Sequence, residues 1–380
     1  MKLSIHMMIL NGAGVIERAL RPFARLDAEA VVVDTGSSDG TPEFVQHLCS
    51  EKFPGDYGRE SRLRCKIAAR LSPGSHPGLY FEDSPSSWRT PMPGPFTGIP
   101  ILRDWAAARN VGLDSCSGEY ILKLDADDEL VEGAENIPST LRHMDANPGL
   151  DFLMCPYEIM ESPELIETIV MYDRLWRNKP NIRFTQVIHE YLLGKGKTST
   201  NQPNWSMAAR GLRFRDWRDS PGAGVRIAHR NYKVFMREYE RMEDAGIEPS
   251  PAFLLSTIGE VTDADPVLAL RLLHMAGERD PGLRWRSSYH LDLGRAYAKD
   301  GQGERALLSF EESVRLDPNS ASAHLALGFQ MFGAGSSCRW ERIDRLTMGL
   351  AKVHVTSGFN VDRRELRRAT SLLKEYRQLI

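Results

Sequence analysis

The chain has 380 residues, 42% hydrophobic and 26% charged, with a formal net charge of −3. The length exceeds one ordinary core and suits two domains, and the composition excludes a disordered chain and any global affinity for nucleic acid or membrane. Five scattered cysteines, odd in number and without CxxC spacing, exclude a disulfide framework and a zinc knuckle. The start lacks the regions of a signal peptide and no stretch approaches 18 apolar residues, so the expectation is a cytoplasmic protein with no membrane span.

Residues 3–10 (LSIHMMIL) read as a buried strand, and 14–26 carry Val15, Ala19, Leu20 and Phe23 at helical spacing. Residues 29–34 (EAVVVD) form a β-branched run ending at Asp34. The small-residue loop TGSSDGT follows, and Thr41-Pro42 opens a helix carrying Phe44, Val45 and Leu48. Such a strand–helix–strand–loop–helix opening predicts a parallel sheet. Residues 50–104 hold eight prolines and no sustained period, which predicts a long irregular insertion with one short strand near Cys65–Leu71. A helix is predicted from Trp105, then an apolar strand Tyr120–Leu124 ending at Asp125-Ala126-Asp127-Asp128, then strands near 151–155 and 169–176. From about residue 235 the pattern is helical. Leu293, Gly294, Tyr297, Ala306, Phe310, Ser313 and Pro318 fall at the offsets of a 34-residue helix–turn–helix unit. His324, Leu327 and Gly328 begin another, and Ala269, Leu273, Ala276 and Pro281 match half of an earlier one. Three such helix pairs can share one core, with Leu366–Tyr376 as a capping helix.

The chemistry concentrates in VVVDTGSSDGT (31–41) and YILKLDADDEL (120–130). Each places carboxylates just past an apolar strand, at the edge where open α/β sheets bind ligands. Asp125 and Asp127, at i and i+2, offer hard oxygen ligands for Mg²⁺ or Mn²⁺, and such an ion would bridge a diphosphate. Asp34 can accept from a uracil ring or from ribose hydroxyls, while Gly36, Ser37, Ser38 and Gly40 allow close approach to a nucleotide. Asp39 and Thr41 also suit the simpler role of capping the next helix.

With DWAAARNVGL (104–113), DRLWRN (173–178) and VIHEYL (187–192), these segments resemble the family 2 glycosyltransferases over residues 1 to about 235. The helical remainder resembles a tetratricopeptide array. The resemblance implies an α/β GT-A domain over 1–235, a Rossmann-like mixed sheet with helices on both faces, followed by an all-α repeat domain over 236–380. It implies a metal-dependent transferase that moves a sugar from a nucleotide-diphosphate donor, most often UDP-linked, to an acceptor hydroxyl, with inversion. It assigns Asp34 to the base, with Gly36, Ser37 and Asp39 in the same nucleotide-binding loop. Asp125 falls to ribose and metal, Asp127 to the metal, and Arg109 to the diphosphate side. Glu190, with Asp128 as rival, is the general base, and His229 the third metal ligand.

Two features depart from that pattern. The insertion 50–104 is longer than usual in the family. Two basic stretches, 59–70 and the aromatic-interleaved 201–233, raise a polyanionic acceptor such as hydroxymethylated DNA beside a saccharide or a peptide, while a solvated face with diphosphate contacts is the favoured reading of both. The repeats suit peptide binding or a homodimer. Two competing readings are a nucleotidyltransferase, for which NGAGVIERAL is a poor phosphate loop, and a non-catalytic repeat scaffold with an inert nucleotide-binding domain.

Overall fold

The computed structural model describes residues 2–50, 63–80, 102–162, 165–194, 206–208, 211–216, 223–333, 339–355 and 362–377. The chain forms two compact units, Met1–Glu164 with Val170–Ser220, and Leu165–Ile169 with Pro221–Ile380. A single helix, Ala223–Asp244, runs through residue 235, where the sequence pattern turned helical.

The first unit is built on a mixed sheet. Strands β1 (Leu3–Ile9), β2 (Ala28–Asp34), β3 (Arg64–Arg70) and β4 (Tyr120–Asp125) are followed by β5 (Asp128–Glu132), β6 (Phe152–Ser162) and β7 (Leu165–Arg177). A separate two-stranded ribbon, β8 (Ile182–Thr185) with β9 (Tyr191–Gly194), precedes β10 (Ser206–Ala208) and β11 (Arg213–Asp216). The order across the sheet is β3-β2-β1-β4-β7-β6-β11-β5, with β10 beside β6. Pairings β3–β2, β2–β1 and β1–β4 are parallel, and β4–β7 is antiparallel. β1 and β2 are buried along their whole length, as parallel strands covered on both faces must be. Ile5, Met7 and Ile9 pack with Leu20, Phe23 and Val45 on one face. Met8 and Val33 pack with Leu71 and Ala108 on the other.

Three helices cover these strands: α2 (Thr41–Ser50), α3 (Trp105–Asp114) and α4 (Ile137–Ala146). The amphipathic stretch 14–26 makes only a short helix α1 (Ile16–Leu20), which passes into a 3₁₀ turn at Arg21–Phe23. Pro22 sits in that turn, where its missing N–H ends regular α-helical bonding. Helix α3 starts where the Asp104 carboxylate accepts from the Ala107 amide at 2.8 Å. It lies so close to β1 and β2 that a Cβ on Gly112 would stand 2.6 Å from Val33 Cγ2. Within 50–104, the short strand expected near Cys65 is β3, an edge strand of the main sheet. Residues 51–62 and 81–101 lie outside the described part.

In the second unit α5 (Ala223–Asp244), α6 (Pro251–Ser256), α7 (Ile258–Ala264) and α8 (Pro266–Arg279) precede α9 (Ser287–Lys299) and α10 (Gly303–Leu316). Helices α11 (Ala321–Gly333), α12 (Arg339–Val355) and α13 (Arg363–Arg377) complete it. Gly294 and Gly328 sit at equivalent points one 34-residue period apart. A Cβ on Gly294 would meet Phe310 Cδ1 at 2.5 Å, and one on Gly328 would meet Leu346 Cδ2 at 2.7 Å. The period therefore marks where the first helix of each hairpin touches the second, which makes the unit a helical repeat. Ala369 of α13 is buried with Ala321, Leu325 and Leu346. Among the described residues no helix is long and apolar enough to cross a membrane.

Candidate functional site

Asp34, the last residue of β2, pairs in the ladder with Ile9, and Asp125, the last of β4, pairs with Met8. The two residues therefore flank β1 at the sheet's C-terminal edge, one residue apart in register, with Cα atoms two strand spacings or about 10 Å apart.

The loops after β1 and β2 are laced together. The Asn11 amide donates to Ser37 Oγ at 2.8 Å, and the Ser38 amide donates to Asn11 Oδ1 at 2.8 Å. The Gly12 amide donates to Thr41 Oγ1 at 2.8 Å, and the Ala13 amide to Asp39 Oδ2 at 3.2 Å. Gly36 (φ +104°) and Gly40 (φ +82°) turn the chain through the left-handed region that side chains disfavour. Against desolvation, hydrogen bonds from Thr41 and Ala13 hold the Asp39 carboxyl below its ordinary value. Asp39 and Thr41 thus tie the loops together, and Asp34, buried, accepts from the Ser37 amide at 3.2 Å.

Beside this loop stands a buried ion network. Arg109, 3% exposed, points from α3 to Asp125 (Nη2 to Oδ1, 2.6 Å) and to Glu190 (Nε to Oε1, 2.5 Å). Lys123 Nζ lies 3.4 Å from Glu190 and 3.8 Å from Asp125. Gln186 (φ +75°) and His189 (φ +51°) turn the backbone that delivers Glu190 to Arg109. Burial would raise Glu190, but Arg109 and Lys123 overcome it and bring the carboxyl down to about 2. Asp125 is likewise held well below the carboxylate range, against its burial, by Arg109, Lys123 and Arg174. The guanidinium expected on the diphosphate side is therefore engaged by protein carboxylates.

Asp128 is fully buried and serves as an acceptor. The Asp125 amide (2.8 Å), the Tyr157 hydroxyl (2.7 Å) and Arg174 Nη1 (2.5 Å) all donate to it. Burial pulls its carboxyl upward and the Arg174 guanidinium opposes that. Asp127, between the two, is solvent-exposed. Desolvation and the like charges of Asp128, Asp125 and Asp216 push it up to about 7. Because the residue is exposed, water offsets part of the desolvation and the crowding of like charge carries more of the effect. Among the described residues no three His, Cys, Asp or Glu side chains converge as a ready metal cage. The side chain of His229 lies outside the described part.

Sequence reasoning missed Lys123, Tyr157, Arg174 and Asp216 as parts of this site. Arg174 lay inside a noted segment, DRLWRN, but its partner is 46 residues away. The two basic stretches look different in three dimensions. Arg64, Lys66 and Arg70 pair with Asp27, Glu29 and Glu43. Arg213 pairs with Glu132 and Glu158, and Arg215 with Glu158.

No protein-family model matches the chain. It is similar to a TPR repeat-containing protein of Synechococcus elongatus, 29% identical over 234 residues, 57% of this chain and 54% of that protein. The chain thus spans about half the length of that relative. Among solved structures, the Sgt2 TPR domain from Aspergillus fumigatus aligns over 34% of this chain and 83% of its own (20% identity, TM-score 0.28). YrrB, a TPR protein with an unusual peptide-binding site, aligns over 36% and 69% (18% identity, TM-score 0.28). At such scores these likenesses add nothing to the fold described above.

Proposed function

We propose that the first unit is a GT-A domain that transfers a sugar from a nucleotide-diphosphate donor, UDP-linked, to an acceptor hydroxyl, and that the second is a tetratricopeptide-like recruiting domain. The observation that carries this reading is the register placing Asp34 and Asp125 on either side of β1 at one sheet edge. Their separation, about two strand spacings, suits a nucleoside at Asp34 and its diphosphate near Asp125 and Asp127.

Asp125 and Asp127 suit a hard divalent cation, since Mg²⁺ or Mn²⁺ needs only one or two carboxylates when phosphate and water complete its shell. Such an ion would neutralise charge on the departing diphosphate. Asp127 is the one exposed acid in a group of four, so a cation there relieves repulsion already present. Arg109 positions both Asp125 and Glu190. Glu190 is kept ionised, the state a base must start from, although Arg109 lowers its basicity. Asp128, sequestered under Arg174 and Tyr157, holds the turn in shape and is the weaker candidate for base.

The test is binding and hydrolysis of a panel of nucleotide sugars with Mn²⁺ or with chelator. Metal-dependent UDP release, lost in Asp127→Ala and weakened in binding by Asp34→Ala, is the expected result. Absence of binding to any nucleotide sugar would sink the reading. One observation favours the alternative, an inert domain on a repeat scaffold: the charges of Asp125 and Glu190 are already matched by Arg109 and Lys123.

A further inference from the structure

The sheet order divides the C-terminal edge into two halves about β4. On one side lie β1, β2 and β3 with the Asp34 loop, and on the other β7 and β6. The second half carries an aromatic group that the nucleotide reading does not use. The β4–β7 ladder ends at Leu122 opposite Leu175, and three residues further along each strand stand Asp125 and Tyr172. Tyr172 is 49% exposed, unusual for a large ring beside a buried ion network. It is not loose. Tyr157 meets it edge-to-face, with centroids 5.3 Å apart at 73°, and Tyr157 is fixed by its hydroxyl on Asp128. The Arg174 guanidinium lies 4.2 Å from the Tyr157 centroid and 5.7 Å from that of Tyr172. Burial raises the Tyr172 phenol above its ordinary value, Arg174 opposes that, and the charges of Glu190, Asp125 and Asp128 add to the rise. An exposed ring held from behind, next to carboxylates, has the chemistry of a stacking surface for a ring whose face is apolar and whose rim is hydroxylated.

We propose that Tyr172 is the platform of the acceptor subsite, and that the acceptor it takes is a pyranoside. The inference rests on the glycosyl-transfer reading and narrows it. A pyranose offers axial C–H groups to the aromatic face and a hydroxyl to Glu190, the base of the transferase reading. A polyanion fits less well, because the described cations of both basic stretches on the sheet, Arg64, Lys66, Arg70, Arg213 and Arg215, each face a carboxylate of the protein.

The experiment is ligand-observed NMR on the full chain with methyl glycosides of gluco, galacto and manno configuration, beside a serine-containing peptide and a hydroxymethylated oligonucleotide. It is run on wild type, Tyr172→Ala and Tyr172→Phe, with UDP binding measured in parallel. At least one glycoside is expected to bind with ring protons saturated. Tyr172→Ala should weaken it about tenfold and Tyr172→Phe should retain it, with UDP affinity unchanged in both. Failure of every glycoside, binding indifferent to Tyr172→Ala, or preference for peptide or oligonucleotide would overturn the proposal. So would an equal loss of UDP affinity, which would move Tyr172 to the donor side. Loss of UDP binding by wild type instead sinks the transferase reading, and the glycoside arm reads independently of it.

Discussion

Replacing Arg109 with methionine keeps an unbranched apolar stem but removes the guanidinium and leaves two carboxylates without their main counterion. Arg109 is 3% exposed, Glu190 8% and Asp125 26%, so the pair to Glu190 is effectively desolvated. Removing one partner of a buried ion pair costs about 3–5 kcal/mol. Lys123 remains 3.4 Å from Glu190 and 3.8 Å from Asp125 and takes up part of the loss, so the lower end applies, about 3 kcal/mol. For a unit of this size that is a fall in melting temperature of about 6–12 °C. The pH dependence has a definite sign. Glu190 moves from 4.5 to about 2 on folding. A depressed carboxylate contributes stability above its unfolded value and loses it as pH falls from about 4.5 toward 2. The variant lacks that contribution, so its deficit is full at pH 7 and narrows between pH 5 and pH 3. Thermal melts of both proteins followed by circular dichroism across that range are the assay. A deficit below about 1 kcal/mol at pH 7, or one unchanged down to pH 3, would refute the buried-network account.

Three other outcomes follow from the same geometry. Asp128→Asn leaves the buried Arg174 without its anion and should cost about 3–5 kcal/mol, read by denaturant unfolding. Asp127→Asn acts the other way. The folded carboxyl is raised to about 7, so its ionisation lowers stability as pH rises from about 4 through 7. The amide should therefore melt slightly higher than wild type at pH 8, by no more than about 1 kcal/mol given its exposure, equally at pH 4, and without response to Mn²⁺. Gly294→Ala drives a methyl into Phe310 and should cost about 1–3 kcal/mol, with faster hydrogen exchange confined to α9 and α10 while β1 and β2 stay protected.

What was legible in the sequence is what local pattern encodes. The apolar runs that became β2 and β4 end on Asp34 and Asp125, and the run that became β1 on Ile9, and they were legible because a buried parallel strand is a continuous hydrophobic stretch. The 34-residue period was legible because Gly294 and Gly328 are each required by a close helix contact. β5 was not: Asp128–Glu132 reads as an acidic turn, and it is a strand because β11 pairs with it from more than 80 residues away. Pro22 cut short a helix whose apolar spacing extended to residue 26. Tyr157 and Arg174 were invisible as site residues for a similar reason, since an aromatic and a cation on two long strands acquire meaning only when Asp128 is placed beneath them.

Charge balance in three dimensions separates the residues that hold the site from those left to act. Arg109 and Lys123 offset Asp125 and Glu190, and Arg174 offsets Asp128. Asp39 is occupied by Thr41 and Ala13. One exposed acid, Asp127, faces the combined field of Asp128, Asp125 and Asp216. A net negative position at the C-terminal edge of a parallel sheet, beside a buried Asp34 and the turns at Gly36 and Gly40, is a destabilising arrangement unless something positive sits there. The described sheet cations of the two basic stretches do not supply it, because Arg64, Lys66, Arg70, Arg213 and Arg215 are matched locally. Under the proposed function a small hard cation arriving with a diphosphate would supply it, so that reading expects the cation and the donor to bind together and to bind weakly apart.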